Sequence, residues 1–225
     1  MKKFMALLLV AGMTLSLTAC GGSTDTAKTD QADGKDTFTV GFDQDFPPFG
    51  YVGDDGEFTG FDIEMATECA ARMGKKIVLQ PIDWDAKDME LEAGTIDCIW
   101  NGFTMNGRED QYTWTDPYMD NSQVVVVKKD SGINTLADLA GKVVEVQKES
   151  AAETALNDEE HADLMASFAQ LLSVGEYNTA FMDLESGAVD AVAIDIGVAQ
   201  FQIEGKEDQY QILDETISSE QYAVG

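Results

Sequence analysis

DCIWNGFTMNGREDQYTWTDPY, residues 97–118, decides the fold, because it joins a predicted interior strand to a polar loop and then to a crossover. Apart from Asp97, residues 96–100 are apolar and form the short run that is typical of a buried strand. The chain becomes polar directly afterwards. In open α/β sheets, ligands bind at this carboxyl edge of the strands, so the stretch predicts an α/β fold with a site there.

The polar loop carries groups that suit an anion. Asn101, Gly102 and Thr104 offer hydrogen-bonding groups, and the glycine lets backbone approach a ligand closely. The guanidinium of Arg108 is able to hold a carboxylate through two parallel hydrogen bonds. The alternative is a surface loop in which Arg108 pairs with the acidic residues at 109–110.

Composition limits the class of protein. The chain has 225 residues, of which 44% are hydrophobic, enough for one large domain or two small ones. Its formal net charge of −28 argues against nucleic acid and anionic membrane surfaces as partners. The charge does not exclude an anionic ligand, because local geometry in a buried site outweighs a screened surface field.

The N-terminus is typical of an exported protein. Residues 1–20 have a basic start and an apolar core too short for a comfortable membrane span. They end in Leu17-Thr18-Ala19-Cys20, which resembles the lipobox of bacterial lipoproteins, whereas the alternative is an ordinary signal peptide with a chance cysteine. We expect lipidation at Cys20, a flexible tether over 21–36, and a folded part outside the membrane.

The remaining cysteines and the histidine give no metal pattern. Cys69 falls on a predicted helix face and Cys98 in a predicted strand, so both are interpreted as buried free thiols. An exported protein also permits a disulfide between them. We predict no metal site and no cofactor, since His161 is the only histidine.

From residue 37 onward, apolar runs typical of strands alternate with helical patterns. The first unit has predicted strands at 37–42, 76–81 and 96–100 and helices near 61–73 and 86–93. The second has predicted strands at 124–127, 142–146, 171–174 and 191–194 and helices at 136–139, from 151, and at 179–186. This order predicts two α/β lobes, each with a mostly parallel sheet flanked by helices.

Five motifs in order carry a resemblance to a known family. They are GFDQDFPPFGY at 41–51, GFDIEMATECAARMG at 60–74, the 97–118 stretch, LADLAGKVVEVQ at 136–147 and AVDAVAIDIGVAQ at 188–200. Together they resemble the polar amino-acid-binding proteins of bacterial ABC importers, the family 3 extracellular solute-binding proteins. The likeness covers residues 37–225.

The resemblance implies a two-lobe periplasmic-binding-protein-like fold of type II, with two hinge crossovers and a cleft that closes on the ligand. Lobe 1 is predicted at 37–123, lobe 2 at 124–219, and the start of the return crossover at 220–225. Family members continue with closing helices of lobe 1, so the resemblance also implies that this sequence is truncated.

The family pattern assigns roles to three residues before the polar loop. Asp43 matches an acidic position near the ligand, and Phe46 matches an aromatic ring that lies on it. Trp84 matches the opposite stacking face, so the two rings would clamp the ligand side chain. The alternatives are that Phe46 belongs to the core and that Trp84 caps a helix start.

The α-carboxylate of an amino acid is expected at Arg108, Thr104 and the helix start at Ser150-Ala151. Its α-ammonium is expected at Asp195, at the carbonyl of Asn101 or Gly102, and near Asp43. Gln147 is expected to serve a polar side chain. The alternative role for Asp195 is a helix cap for the residues that follow.

Two departures from the family pattern affect these assignments. The loop from Gly102 to Arg108 is one residue shorter than the common spacing, with a tight turn at Asn106-Gly107. Glu149 stands where many members have glycine, and we expect its side chain to point to solvent.

The sequence therefore predicts a monomeric, lipid-anchored receptor without enzymatic activity that captures a polar L-amino acid and delivers it to a membrane ABC permease. One alternative is an enzyme on the same scaffold, similar to cyclohexadienyl dehydratases, with Asp43 and Asp195 as candidate acids. A sensor domain and a nonfunctional truncated fragment are further alternatives.

Overall fold

The computed structural model describes residues 36–225. The predicted signal peptide, Cys20 and the tether up to residue 35 lie outside the described residues. The strands are β1 (Thr37–Phe42), β2 (Asp45–Phe46), β3 (Gly50–Val52), β4 (Phe58–Thr59), β5 (Lys76–Pro81), β6 (Cys98–Ile99), β7 (Met119–Lys128), β8 (Val143–Gln147), β9 (Gln170–Val174), β10 (Ala191–Asp195), β11 (Tyr210–Ile212) and β12 (Ser218–Tyr222). The α-helices are α1 (Phe61–Arg72), α2 (Lys87–Glu92), α3 (Ala151–Leu156), α4 (Ala162–Ser167), α5 (Tyr177–Ser186) and α6 (Ile196–Ile203).

Lobe 1 is built on a three-stranded parallel sheet in the order β5-β1-β6. Helix α1 covers it with Ile63, Ala66 and Ala70, which share one helical face and are buried. The helix begins after Gly60, carries acidic residues in its first turn, where the helix dipole favours negative charge, and ends before Gly74 in the left-handed region.

Lobe 2 is built on a mixed six-stranded sheet in the order β11-β7-β10-β8-β9, with β12 also paired to β7. Strands β10, β8 and β9 run parallel, whereas β7 runs antiparallel to β10, β11 and β12. The sequence predicts a mostly parallel sheet, but this sheet is mixed, because the crossover strand β7 runs antiparallel to its neighbours.

Strand β7 explains the run of four valines. Val124 and Val126 face one core cluster of lobe 2, and Val125 and Val127 face the other. A strand whose two faces are both buried has no polar alternation, so the apolar run follows from its central position.

The two crossovers lie side by side. Residues 119–123 of β7 pair with β12, from Ser218 opposite Gln123 to Tyr222 opposite Met119. After β12 the chain returns to lobe 1, where the backbone of Gly225 exchanges hydrogen bonds with Ile99 at 2.8 and 3.2 Å. Both crossover strands begin earlier than predicted, β7 at Met119 rather than at residue 124 and β12 at Ser218 rather than at residue 220.

A small antiparallel sheet, β2-β3-β4, was not predicted from the sequence. It projects from lobe 1, and its Phe49 belongs to a core cluster of lobe 2. A Cβ at Gly197 of α6 would lie 3.0 Å from the Phe49 ring, so this glycine lets the ring approach the helix closely. The sheet therefore fastens lobe 1 to lobe 2.

The remaining predictions match closely for β1 and β5, whose bounds are those expected from the sequence, and for α3, which begins at the predicted residue 151. The predicted helix at 86–93 is a 3-10 turn at Trp84–Ala86 followed by α2. Cys98 is a buried free thiol, as predicted, whereas Cys69 is a free thiol that is only half-buried and packs against the same core cluster. Among residues 36–225, no helix combines the length and apolar character that a membrane crossing requires.

Gly60→Ala tests the entry to α1. Gly60 has φ 127°, and a Cβ there would lie 2.3 Å from the carbonyl oxygen of Phe49. Since backbone on both sides would have to move, we expect a loss of about 3 kcal/mol or more in the free energy of unfolding, measured by urea denaturation.

Gly74→Ala is the matched control. Gly74 has φ 67°, but a Cβ at this position would have no other atom within 4 Å. We expect this substitution to cost about 1 kcal/mol, from backbone strain alone. Equal losses for the two variants would contradict the steric explanation.

Candidate ligand-binding site

One cavity between the lobes gathers ten residues that were expected to bind a ligand. They are Phe46, Trp84, Asn101, Gly102, Thr104, Arg108, Gln147, Ser150, Ala151 and Asp195. In lobe 1, Phe46 ends β2, Trp84 follows β5, and the remaining members follow β6. In lobe 2, Gln147 and Asp195 end β8 and β10, and Ser150 and Ala151 follow β8. The site therefore lies at the carboxyl edges of the two sheets.

The cavity is narrow because the lobes are in contact around it. The lining residues surround about 280 Å³ of empty space. Hydrogen bonds cross between the lobes from Gln147 to Asp43 (2.6 Å), from Lys148 to Asp85 (2.7 Å) and from Asn178 to Asp45 (2.7 Å). The structure is thus a closed arrangement of the two lobes.

Arg108 is half-buried and lies at the lobe interface. Its Nη1 donates to the carbonyl of Thr104 (3.1 Å) and its Nη2 to the carbonyl of Glu149 in lobe 2 (3.2 Å). Its guanidinium carbon lies 5.4 Å from the Phe103 ring centroid. Carbonyl oxygens orient the guanidinium without neutralising it, so the cation remains suited to an anionic ligand. The shorter loop does not prevent Arg108 from reaching the cavity.

Glu149 has a backbone conformation that glycine would adopt more easily. Its φ is 61°, in the left-handed region that glycine adopts easily. Its side chain is 52% exposed and lies 3.6 Å from Nζ of the buried Lys87. Burial lowers the pKa of Lys87. The glutamate carboxylate thus turns towards Lys87 and solvent rather than into the cavity.

The Asn101-Gly102 segment is held in place by a buried carboxylate that sequence reasoning missed. Oδ2 of Asp62 accepts hydrogen bonds from the N–H of Gly102 (2.5 Å) and from the hydroxyl of Tyr118 (3.0 Å). Burial raises the pKa of Asp62 to about 7. Gly102 has φ 56°, and a Cβ there would lie 3.0 Å from the Phe46 ring, so the position requires glycine.

Both predicted aromatic residues line the cavity and also pack into core clusters. The Phe46 ring lies 6.0 Å from that of Tyr177 in lobe 2, so this side chain spans the lobe interface. The Trp84 ring meets Phe103 edge-on at 5.5 Å and lies 5.3 Å below the Lys87 ammonium. Phe46 therefore combines the expected site position with the alternative core position. Trp84 does not cap the helix start, because Asp83 is the N-cap residue and Trp84 is the first residue of the 3-10 turn.

Asp195 ends β10 and precedes α6, but its side chain does not cap that helix. Instead, Oδ1 accepts hydrogen bonds from Asn121 (2.7 Å), Gln123 (2.7 Å) and the hydroxyl of Tyr222 (2.5 Å). Burial, followed by the neighbouring Glu220 carboxyl, raises the pKa of Asp195 to about 7. The side chain faces the cleft rather than the helix N-terminus.

Asp43 lies beside the cavity rather than in its lining. Its Oδ1 accepts the N–H of Asp45 (2.8 Å) and its Oδ2 accepts from Gln147 (2.6 Å). Burial raises the pKa of Asp43 to about 6, although its two hydrogen bonds lower it. It lines an adjoining cavity with five further carboxylates, those of Asp45, Asp83, Asp85, Glu90 and Glu176.

Four residues of the two crossover strands complete the site and were not predicted: Asn121, Gln123, Glu220 and Tyr222. A signal for them exists in the sequence. Asn121 and Gln123 are two positions apart in β7, and Glu220 and Tyr222 are two positions apart in β12. Residues with this spacing in a strand point to the same face of the sheet. Within residues 36–225, no group of three or more histidine, cysteine or acidic side chains has the geometry of a metal site.

Comparison with known proteins identifies the family. The profile of the bacterial extracellular solute-binding proteins, family 3, matches residues 38–179. The chain belongs to this family. The predicted family is therefore confirmed, while the predicted lipoprotein form is not tested by the match.

Two curated relatives of this family 3 protein illustrate the range of similarity. The chain is 36% identical over 148 residues to the arginine-binding extracellular protein ArtP of Bacillus subtilis, an alignment that covers 65% of this chain and 56% of ArtP. It is 30% identical over 223 residues to the L-cystine-binding protein TcyJ of Escherichia coli K12, covering 98% of this chain and 80% of TcyJ.

Solved structures confirm the predicted two-lobe fold of the family 3 protein. A substrate-binding protein of an ABC uptake transporter from Streptococcus pneumoniae with bound histidine matches with a TM-score of 0.80 and 35% identity, covering 84% of this chain and 79% of that one. An ancestral arginine-binding protein bound to arginine matches with a TM-score of 0.76 and 36% identity, covering 84% of each chain.

Asp43→Asn tests the electrostatic cost of the closed site. Because burial raises the pKa of Asp43 from 3.8 to about 6, the folded protein binds this proton more tightly than the unfolded chain. The fold is therefore destabilised progressively as pH rises from about 4 to 6, and the penalty reaches roughly 2–3 kcal/mol at pH 7. As pH falls from 7 to 4, wild type should gain about this amount relative to the variant in urea unfolding.

Asp138→Asn is a control of opposite sign. Hydrogen bonds from the backbone of Asn134 and from Thr135 lower the pKa of Asp138. Its contribution to stability is present above the ordinary carboxyl pKa and is lost as pH falls through the lowered value. The variant should be less stable than wild type at pH 7, and the deficit should shrink in acid. The same sign of pH dependence for both variants would contradict the assignment of Asp43.

Proposed function

We propose that this protein is an extracytoplasmic substrate-binding lipoprotein that captures a polar L-amino acid in the cavity between its lobes and delivers it to an ABC permease. The observation that carries the proposal is the separation of charge across the cavity. The guanidinium of Arg108 extends from lobe 1, and the buried carboxylate of Asp195 lies at the end of a lobe 2 strand. A zwitterion with carboxylate and ammonium groups matches this pair.

Arg108 supplies the carboxylate end of the proposed site. Its two hydrogen bonds to carbonyl oxygens fix the plane of the guanidinium, and its positive charge stays available for a bidentate contact. Thr104 and Ser150-Ala151 lie around the same cavity and complete this end.

Asp195 supplies the ammonium end. Its carboxylate is buried among neutral donors, so an ammonium group would restore the missing positive charge. Asn101 and Gly102 add carbonyl acceptors from lobe 1.

The ligand side chain has its own part of the proposed site. Phe46 and Trp84 present ring surfaces to it, and an aromatic face suits both apolar and cationic groups. Gln147 forms the end of the cavity that faces this side chain, and Asp43 lies behind it, bound to the Gln147 amide. The side-chain pocket is therefore polar at its end and aromatic along its walls.

The mechanism proposed is lobe closure. Because Arg108 and Asp195 belong to different lobes, a ligand that contacts both stabilises only the closed arrangement. The hydrogen bonds that Gln147, Lys148 and Asn178 donate across the lobe interface also favour closure, and they involve protein groups only. No bond is made or broken, and no cofactor is required.

The cellular setting belongs to the same proposal. A lipid at Cys20 would hold the protein at the outer face of the bacterial cell membrane, and the tether over 21–36 would let the folded part reach the permease. The names of the relatives, which include arginine-, cystine- and histidine-binding proteins, support an amino-acid ligand. We propose that the protein acts as a monomer.

A thermal-shift screen of the chain from Gly21 to Gly225 against the twenty L-amino acids and L-cystine tests the function. A ligand that binds only the folded state at 100 times its dissociation constant adds about 2.7 kcal/mol of stability, so a bound amino acid must raise the melting temperature. Arg108→Ala should remove the shift, because it leaves the ligand carboxylate unpaired at a cost of about 2–5 kcal/mol.

The screen has a clear contrary outcome. A cooperative melt that no amino acid shifts would contradict the receptor function. Turnover of prephenate or arogenate, measured on the same preparation, would then favour the dehydratase alternative. Full binding by the Arg108→Ala variant would contradict the carboxylate contact while leaving the receptor function in place.

Asp195→Asn tests the ammonium end separately. The substitution retains one acceptor oxygen but removes the charge, so binding of the amino acid should weaken by about 2 kcal/mol or more. The matched ligand is the deaminated carboxylic acid with the same side chain, whose already weak binding should change little. Equal losses for both ligands in calorimetric titration would show that Asp195 does not contact the amino group.

A further inference from the structure

Glu220 is a buried carboxylate in the return crossover to which the proposed function assigns no role. It lies in β12, and its Oε1 accepts three hydrogen bonds, each of 2.7 Å, from Thr104, Asn121 and Gln123. Thr104 belongs to the cavity lining of lobe 1, whereas the two amides belong to β7. Glu220 thus joins the cavity to both crossovers.

Asp195 and Glu220 share their donors. The same Nδ2 of Asn121 and the same Nε2 of Gln123 donate to Oδ1 of Asp195, again at 2.7 Å each. Since both carboxylate oxygens lie 2.7 Å from each shared nitrogen, they are about 5 Å apart or closer. Two ionised carboxylates at that distance in a buried setting repel each other strongly.

Every donor to this pair is neutral. Asp195 faces Asn121 and Gln123 of β7, the hydroxyl of Tyr222 in β12, and Tyr177 of α5, which is close enough to interact with its charge. Glu220 faces the same two amides and a threonine hydroxyl. Within residues 36–225, no lysine, arginine or histidine forms an ion pair with either carboxylate.

Burying two negative charges among neutral groups is too costly unless a proton or a cation compensates one of them. Resting on the proposed function, we propose that Asp195 and Glu220 together hold one proton in the ligand-free protein, and that the amino acid's α-ammonium replaces it. Glu220 is then a positioning residue for the ammonium, and ligand binding releases a proton to solvent.

The charges balance in this exchange. Before binding, the pair carries one proton and one net negative charge. The ammonium enters with one positive charge, the shared proton leaves to bulk water, and the pair becomes doubly ionised against the ammonium. No covalent bond to carbon or nitrogen changes, and the ligand keeps its own proton.

The predicted protonation agrees with the electrostatics of the site. Burial, followed by the Glu220 charge, raises the pKa of Asp195 to about 7. A proton on Asp195 is therefore held below about pH 7 and lost above it, so affinity should rise with pH through this range. For a pKa of about 7, affinity should increase about tenfold between pH 6 and pH 8.

The experiment is calorimetric titration of the chain from Gly21 to Gly225. The twenty L-amino acids and L-cystine are screened first, and the titrant is the tightest of them whose side chain keeps its charge between pH 6 and 8. Titrations at pH 6.5 in phosphate and in Tris, which differ in ionisation enthalpy, count the protons released. We expect about half to one proton per ligand in the wild type.

Glu220→Gln is the decisive variant. Glutamine keeps an Oε1 acceptor for Thr104, Asn121 and Gln123, so the network of hydrogen bonds survives while one charge is removed. The proton count should fall by at least half, and the increase of affinity between pH 6 and 8 should shrink with it. Circular dichroism of the variant checks that it is folded.

Glu145→Gln is the matched control. Glu145 is also a buried glutamate of lobe 2 with a raised pKa, caused first by burial, but it does not line the cavity. Removing it should leave the proton count at the wild-type value. A similar fall in both variants would show that the loss of any buried carboxylate has this effect and would overturn the inference.

The outcomes separate this inference from the function on which it rests. If no amino acid binds, the proposed function fails, and the inference fails with it. If an amino acid binds without proton release, or with equal release by Glu220→Gln, the receptor function stands and the shared proton is overturned. Proton release that depends on Glu220 but not on Glu145 supports both.

Discussion

Two amide side chains, Asn121 and Gln123, hold a pair of buried carboxylates where the crossover strands pass the cavity, and the geometry of the site depends on this junction. Each amide nitrogen donates at 2.7 Å to both Asp195 and Glu220. Replacing either amide by an apolar group would leave buried carboxylate oxygens short of donors, which costs more than the hydrogen bond gains. The junction therefore fixes the end of β10 against both crossovers.

Strand β7 serves two purposes along its length, which accounts for its unusual composition. Its second half lies at the centre of the lobe 2 sheet and consists of valines buried on both faces. Its first half pairs with β12 and alternates polar residues towards the junction, at Asn121 and Gln123. The lobe 2 sheet thus extends without interruption into the crossover. The same strand therefore holds both the lobe 2 core and the two amides that bind Asp195.

Sequence reasoning recovered the parts of the structure that local pattern determines. The strands at 37–42 and 76–81 follow from apolar periodicity and turn residues, and their bounds matched, as did the start of the helix at residue 151. The family resemblance identified ten residues that line the cavity in the structure. They lie close together because strand ends in α/β folds meet at one edge of the sheet. The roles of Asp62 and Glu220 were missed, since their partners Gly102 and Thr104 lie 40 or more positions away in the sequence. The β2-β3-β4 sheet was missed because its strands have only two or three residues, too few for a periodic pattern. Asp43 lies beside the cavity because Gln147 of the other lobe binds it.

Closure of the lobes depends on contacts of unequal strength. The Lys148–Asp85 pair is partly exposed, and such pairs contribute between zero and about 1 kcal/mol. The Asp43–Gln147 hydrogen bond is buried, but it requires a carboxylate whose ionisation is disfavoured by that burial. These polar contacts therefore stabilise the closed arrangement only modestly, whereas the packing of Phe46 and Phe49 into the lobe 2 core adds an apolar contribution. Under the proposed function, a ligand would contact both Arg108 and Asp195 only in the closed state, and this difference in affinity would shift the lobes towards closure.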